Sequence, residues 1–104
     1  MAYTIIAKKA IGNSLYLEFF LSVLLNVAKQ QIRIRYQKQL IKLGKHIRSV
    51  REAYGISQEQ LAADAEIPYS SVNEIEAGKT NPTIASLMAL ADALEIPLKD
   101  LVGF

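Results

Sequence analysis

From Leu40 onward, apolar residues recur at three- and four-residue steps, and short runs of turn residues interrupt them. Leu40, Leu43, Ile47, Val50 and Tyr54 form one stripe and predict a first helix, which Gly55 stops. Ser57, with Gln60 three residues on, predicts a capping box and a second, two-turn helix that turns Leu61, Ala62 and Ala65 inward. Ile67-Pro68 is the next break, because proline restricts the residue before it and favours the start of a helix. A third helix, about Tyr69 to Ala77, places Val72 and Ile75 inside and ends at Gly78. Lys79-Thr80-Asn81-Pro82 has loop composition. Thr83 caps a fourth helix with Ile84, Leu87, Leu90, Ala91 and Leu94 inward, and Pro97 opens a last one carrying Leu101 and Val102. The pattern predicts an all-α domain of five short helices, residues 39–104.

Residues 1–38 form a different segment, an N-terminal extension. Ala2–Ala7 is a short apolar piece, and Gly12-Asn13-Ser14 reads as a break and cap. Leu15–Ala28 is strongly apolar, with Leu17, Phe20, Leu21, Leu24, Leu25 and Ala28 on one broad helical stripe. Lys29–Lys38 is basic and helix-compatible, although Ile32, Ile34 and Tyr36 alternate with Arg33 and Arg35 as a short strand would.

Charge sharpens this division. Residues 1–52 hold ten Lys and Arg against two acids, whereas residues 53–104 hold two against eight. Eight bases and no acid lie between Lys29 and Arg51, a run suited to a polyanion such as nucleic acid or an anionic membrane surface. The chain has no cysteine and one histidine, His46, which excludes disulfides, thiolate nucleophiles and multi-histidine metal centres. No metal or other cofactor is expected. His46 has no acid beside it on its helix and reads as a surface residue, and Glu74 and Glu76 point to different helix faces. With no glycine-rich phosphate loop either, an enzyme is not expected.

Residues 57–79 are two short helices joined by a tight turn, the helix-turn-helix layout. Ser57-Gln58-Glu59-Gln60-Leu61-Ala62, then Ile75-Glu76-Ala77-Gly78-Lys79, then Asn81-Pro82-Thr83 stand in the order and spacing of a known family. Residues 40–102 resemble the Cro/phage-repressor (XRE-like) type of bacterial DNA-binding domain. Two positions depart from the family pattern: Glu66 replaces the usual turn glycine, and Pro68 replaces the usual Ser or Thr cap.

The resemblance implies that the third helix enters the major groove of double-stranded DNA. Tyr69, Ser70, Asn73 and Glu74 match base-reading positions; Asn pairs well with adenine, and Glu accepts from a cytosine amino group. Gln58 matches a phosphate contact that also braces the recognition helix. Ser71, Lys79, Asn81 and Thr83 match further phosphate contacts. Arg51 and Glu76 match a semi-buried structural ion pair between first and third helices. The apolar stripes agree, since Val50 and Tyr54 flank Arg51 and Ile75 flanks Glu76.

The resemblance further implies a cytoplasmic transcriptional regulator, a repressor bound as a homodimer to a pseudo-palindromic operator. Competing readings are an antitoxin, a restriction–modification controller, or a membrane-tethered regulator anchored by Ile11–Ala28. An anchor must carry Glu18 and several other polar residues, and a central acid costs roughly 2.5–3.5 kcal/mol on insertion scales. No small-residue cleavage site follows the apolar stretch, which argues against a secretory leader. No second ligand-binding domain follows, so no small-molecule effector is implied. The apolar stretch also suits a partner helix, and the basic run suits an arm along DNA.

Overall fold

The computed structural model describes residues 14–104. Its six helices are α1 (Ser14–Arg35), α2 (Gln37–Ala53), α3 (Gln58–Ala65), α4 (Tyr69–Glu76), α5 (Ile84–Ala93) and α6 (Leu98–Val102). The all-α expectation holds, and among the described residues there is no strand. The alternation at Ile32, Ile34 and Tyr36 does not make one; the helix runs through it to Arg35. Ala2–Ala7 and the Gly12-Asn13 break lie outside the described residues.

The chain divides into two compact units after Arg35, three residues before the division read from the sequence. The first contains α1, on which many apolar side chains are exposed. Among the described residues no helix is long and apolar enough to cross a membrane; the window of the anchor reading, Ile11–Ala28, begins outside them.

The second unit, Tyr36–Phe104, closes five helices around one core. Helix α4 packs on both α2 and α3, α3 packs on α5, and α6 closes against α2 and α5. Ile47, Leu61, Val72, Leu90 and Leu101 are fully buried, each worth roughly 1.5–3 kcal/mol of transfer free energy. Two positions predicted inside, Tyr54 and Ile84, are not. Tyr54 is 56% exposed because α2 ends at Ala53 and the chain turns there; Ile56 meets the core instead. Ile84 is 63% exposed, since the stripe of α5 enters the core only from Leu87. Val102 is exposed beside a buried Leu101.

Four helix ends share one device. Gly55, Glu66, Gly78 and Glu95 take positive φ of 70°, 56°, 69° and 56°. In each case the next residue's N–H reaches back to a carbonyl in the last helical turn, as in Ile67 N to Ala62 O at 3.1 Å and Ile96 N to Ala91 O at 3.0 Å. Ile56, Ile67 and Ile96 then fold onto the core. The turn between α3 and α4 therefore keeps the left-handed residue the fold requires, with glutamate in it.

The N-caps follow composition less uniformly. Ser57 Oγ accepts from Gln60 N at 3.1 Å, but the Gln60 side chain donates to Asp64 Oδ1 at 2.8 Å, leaving the predicted capping box one-sided. Thr83 caps α5 through Ser86 N at 3.0 Å. Pro68 starts α4 with no side-chain cap.

Candidate nucleic-acid interface

Helix α4 turns Val72, Ile75 and Glu76 inward and presents Tyr69, Ser70, Asn73 and Glu74 on its exposed side. Its uncapped start leaves first-turn amides without side-chain acceptors, and its short length makes its angle depend on what grips it from behind. Three features provide that grip.

The first is the Arg51–Glu76 pair. Arg51 Nε donates to Glu76 Oε2 at 2.7 Å, and Nη2 donates to Oε1 at 2.9 Å, a bidentate fork. Arg51 Nη1 also donates to the carbonyl of Ile56 at 2.8 Å, tying in the turn before α3. The residues are 8% and 7% exposed, so the pair is buried where a semi-buried one was expected. The hydrogen bond to Glu76 raises the Arg51 pKa above its ordinary value against the opposing effect of burial. Its guanidinium is turned to the interior of the domain, which leaves a phosphate little of it to meet.

The second is a polar relay outward from this pair. Gln58 Nε2 donates to Glu76 Oε1 at 3.1 Å, and Asn73 Nδ2 donates to Gln58 Oε1 at 3.2 Å. Gln58 thus stands between the buried carboxylate and the exposed face of α4, with both ends of its amide in use.

The third is close backbone approach, which sequence reasoning missed. A Cβ on Gly44 would stand 2.5 Å from the carbonyl oxygens of Ile75 and Glu76, so only glycine lets α2 lie this near the end of α4. A Cβ on Gly78 would stand 2.8 Å from Ile41 Cα, and Gln37 Nε2 donates to Gly78 O at 3.0 Å. A lone glycine inside a helical stripe was the available signal.

Around the rim, Ser71, Glu74, Asn81 and Thr83 line one cleft of about 170 Å³ between α4 and the start of α5. Thr83 Oγ1 is engaged with Ser86, so the first-turn amides of α5 are the stronger anion donors there. Lys79 is exposed just beyond α4, outside this cleft's lining. Among the bases of α2, Lys38, Lys42 and Lys45 are exposed, whereas Arg48 pairs with Glu52 at 2.7 Å. The hydrogen bond from Arg48 holds the Glu52 carboxyl below its ordinary value. His46 is more than a surface residue: Nε2 donates to the carbonyl of Asp100 at 2.7 Å, tethering α6 to α2. Among the described residues no group of three acids or histidines could hold a metal ion.

The helix-turn-helix family model matches residues 47–101, more than half of the chain. The immunity repressor of Bacillus phage phi105 is 34% identical over 61 residues, covering 59% of this chain and 42% of that protein. The cryptic phage CTXphi transcriptional repressor RstR of Vibrio cholerae serotype O1 is 33% identical over 63 residues, 61% of this chain and 56% of the relative. This chain therefore spans about half the length of the curated relatives it matches. Among solved structures, the restriction-modification controller protein C.AhdI from Aeromonas hydrophila matches with a TM-score of 0.59 and 37% identity, over 60% of this chain and 94% of that one. Fold, matched span and relatives agree, and the chain belongs to the helix-turn-helix family of the Cro/phage-repressor (XRE-like) type.

Proposed function

We propose that the protein is a sequence-specific DNA-binding transcriptional regulator, a repressor that binds a pseudo-palindromic operator as a cytoplasmic homodimer. The observation that carries this reading is the exposed set Tyr69, Ser70, Asn73 and Glu74 on a short helix locked from behind by Arg51, Glu76 and Gln58. A helix held at a fixed angle with polar side chains outward is what major-groove reading requires. Base contacts are assigned to those four residues. Phosphate contacts are assigned to Ser71, Lys79, Asn81 and Thr83, with Gln58 serving chiefly as the brace. The names of the repressor relatives support the sense of regulation.

A second reading, a restriction–modification controller, is favoured by the match to C.AhdI, which covers nearly all of that chain. A methyltransferase gene beside this one would select it. Genome-wide mapping of bound DNA, followed by titration of the recovered site against random DNA at several salt concentrations, tests the shared core of both. A recovered site with two related half-sites, bound about a thousandfold or more tighter than random DNA, is expected. Equal affinity for both would overturn the proposal.

A further inference from the structure

The polar relay behind α4 has a direction, and a buried charge sets it. Glu76 is buried and paired with Arg51, and a carboxylate in that state has no hydrogen to give. Gln58 therefore turns its amide nitrogen toward it, at 3.1 Å, and its carbonyl Oε1 is left at the other end. Oε1 only accepts, so Asn73 meets it with Nδ2, at 3.2 Å. One charge in the core thus fixes two amides in series, each of which could otherwise face either way.

One Nδ2 hydrogen of Asn73 is spent on Gln58. A second N–H and the acceptor Oδ1 remain, on the exposed face of α4. A donor beside an acceptor matches the major-groove edge of adenine, whose N7 accepts and whose N6 amino group donates. Guanine presents N7 and O6, both acceptors, and would set O6 against Oδ1. A free asparagine could turn its amide and give both hydrogens to guanine. Asn73 cannot do so without breaking its bond to Gln58.

We infer that Gln58 determines specificity: through the relay from Glu76 it commits Asn73 to adenine and refuses guanine at the position Asn73 reads. This rests on the proposed base reading by α4 and goes beyond the brace assigned to Gln58. Gln58 is a positioning residue here, since it acts on the base only through the amide of Asn73.

Selection of bound duplexes from a randomised DNA library, with the full-length protein, tests this. Wild type should recover a site with adenine at a position whose preference is lost in Asn73→Ala. Guanine there should weaken wild-type binding roughly tenfold or more. So should 7-deazaadenine, which lacks the N7 acceptor, and unsubstituted purine, which lacks the amino group. Gln58→Leu removes both hydrogen bonds of the relay. Assayed below its melting temperature, it should bind adenine and guanine at that position about equally and keep its preferences elsewhere in the site. Gln58→Met, an unbranched side chain of similar length, gives the same readout if Gln58→Leu does not fold. A residue that only supported the fold would blur every position together. Such an even loss, or an undiminished preference for adenine over guanine in the variants, would overturn the inference. A site in which Asn73→Ala relaxes no adenine would overturn it too, while leaving the regulatory reading in place. A wild-type protein that recovers no site at all would remove both.

Discussion

Asn73, on the exposed face of α4, donates to Gln58 at the start of α3, and Gln58 donates in turn to the buried carboxylate of Glu76. The face proposed to read bases is therefore joined to the ion pair at the core through one glutamine. A base-edge contact by Asn73 needs its amide in one orientation, and Gln58 supplies that orientation before DNA arrives. Pre-set groups lose less entropy on binding than free ones.

Gln58→Ala removes a hydrogen bond to the charged Glu76 inside the folded domain, so it should lower stability by about 1.5–3 kcal/mol and reduce the melting temperature. It should also weaken binding to cognate DNA more than to random DNA, because the Asn73 amide loses its partner. Asn73→Ala and Tyr69→Ala should each cost about 1–3 kcal/mol on cognate DNA and little on random DNA. Parallel titrations on both DNAs check this. Equal losses on the two would remove the base-reading role.

Phosphate contacts carry a different signature. Lys79→Ala should weaken cognate and random binding together. Changing Lys38, Lys42 and Lys45, all exposed on α2, to glutamine should flatten the dependence of log K on log salt by roughly 0.9 for each phosphate no longer neutralised. An unchanged slope would take the basic run out of the DNA interface.

Gly44→Ala isolates the geometry of the grip. The added methyl would meet two carbonyl oxygens at 2.5 Å, so α2 and α4 must separate or tilt. Ordinarily alanine favours a helix over glycine by about 1 kcal/mol. Here the clash should reverse that sign and lower stability by roughly 1–3 kcal/mol, as overpacking does. Denaturant melts give the sign directly, and a more stable variant would show that the helices are not that close.

Much of this was legible in the sequence because each helix carries its own period and its own stop. The core residues Leu43, Ile47, Leu61, Val72, Ile75, Leu87 and Leu90 all fall where three- and four-residue spacing puts them. What the pattern could not give was depth. Tyr54 and Ile84 have the right spacing but lie in terminal turns, where a stripe runs past the core it points at. Long-range partners were equally silent: His46 with Asp100 and Gln37 with Gly78 depend on which helices become neighbours. Glu-Ile-Pro occurs twice, at Glu66 and Glu95, and both copies adopt one conformation: a left-handed glutamate, an isoleucine on the core, and a proline at the next helix start. That repeat was visible as letters, but a turn in which glutamate takes the place of glycine gives no compositional cue.

The two left-handed glutamates predict their own improvement. An L-residue in that region costs about 1–2 kcal/mol, and glycine adds back about 0.5–1 kcal/mol of unfolded-chain entropy. Glu66→Gly and Glu95→Gly should each stabilise the domain by about 0.5–1 kcal/mol, a rise of several degrees in melting temperature for a unit this small. Thermal melts of the single and double variants should show additive gains, since the turns lie at the ends of different helices.

The buried ion pair carries the largest expected effect. Breaking a buried pair leaves one charge unpaired and costs about 3–5 kcal/mol, a large share of the 5–15 kcal/mol typical of a whole domain. Glu76→Ala should fall in that range and also weaken DNA binding, although it removes a negative charge near phosphate. Arg51→Ala should be at least as severe, because Glu76 would keep only Gln58 as a donor. Adding Glu76→Ala to Arg51→Ala should recover part of the lost stability, since the unpaired carboxylate is gone. Denaturant melts of the two single variants and the double variant check this, and strict additivity of the two substitutions would show that the two charges do not depend on each other.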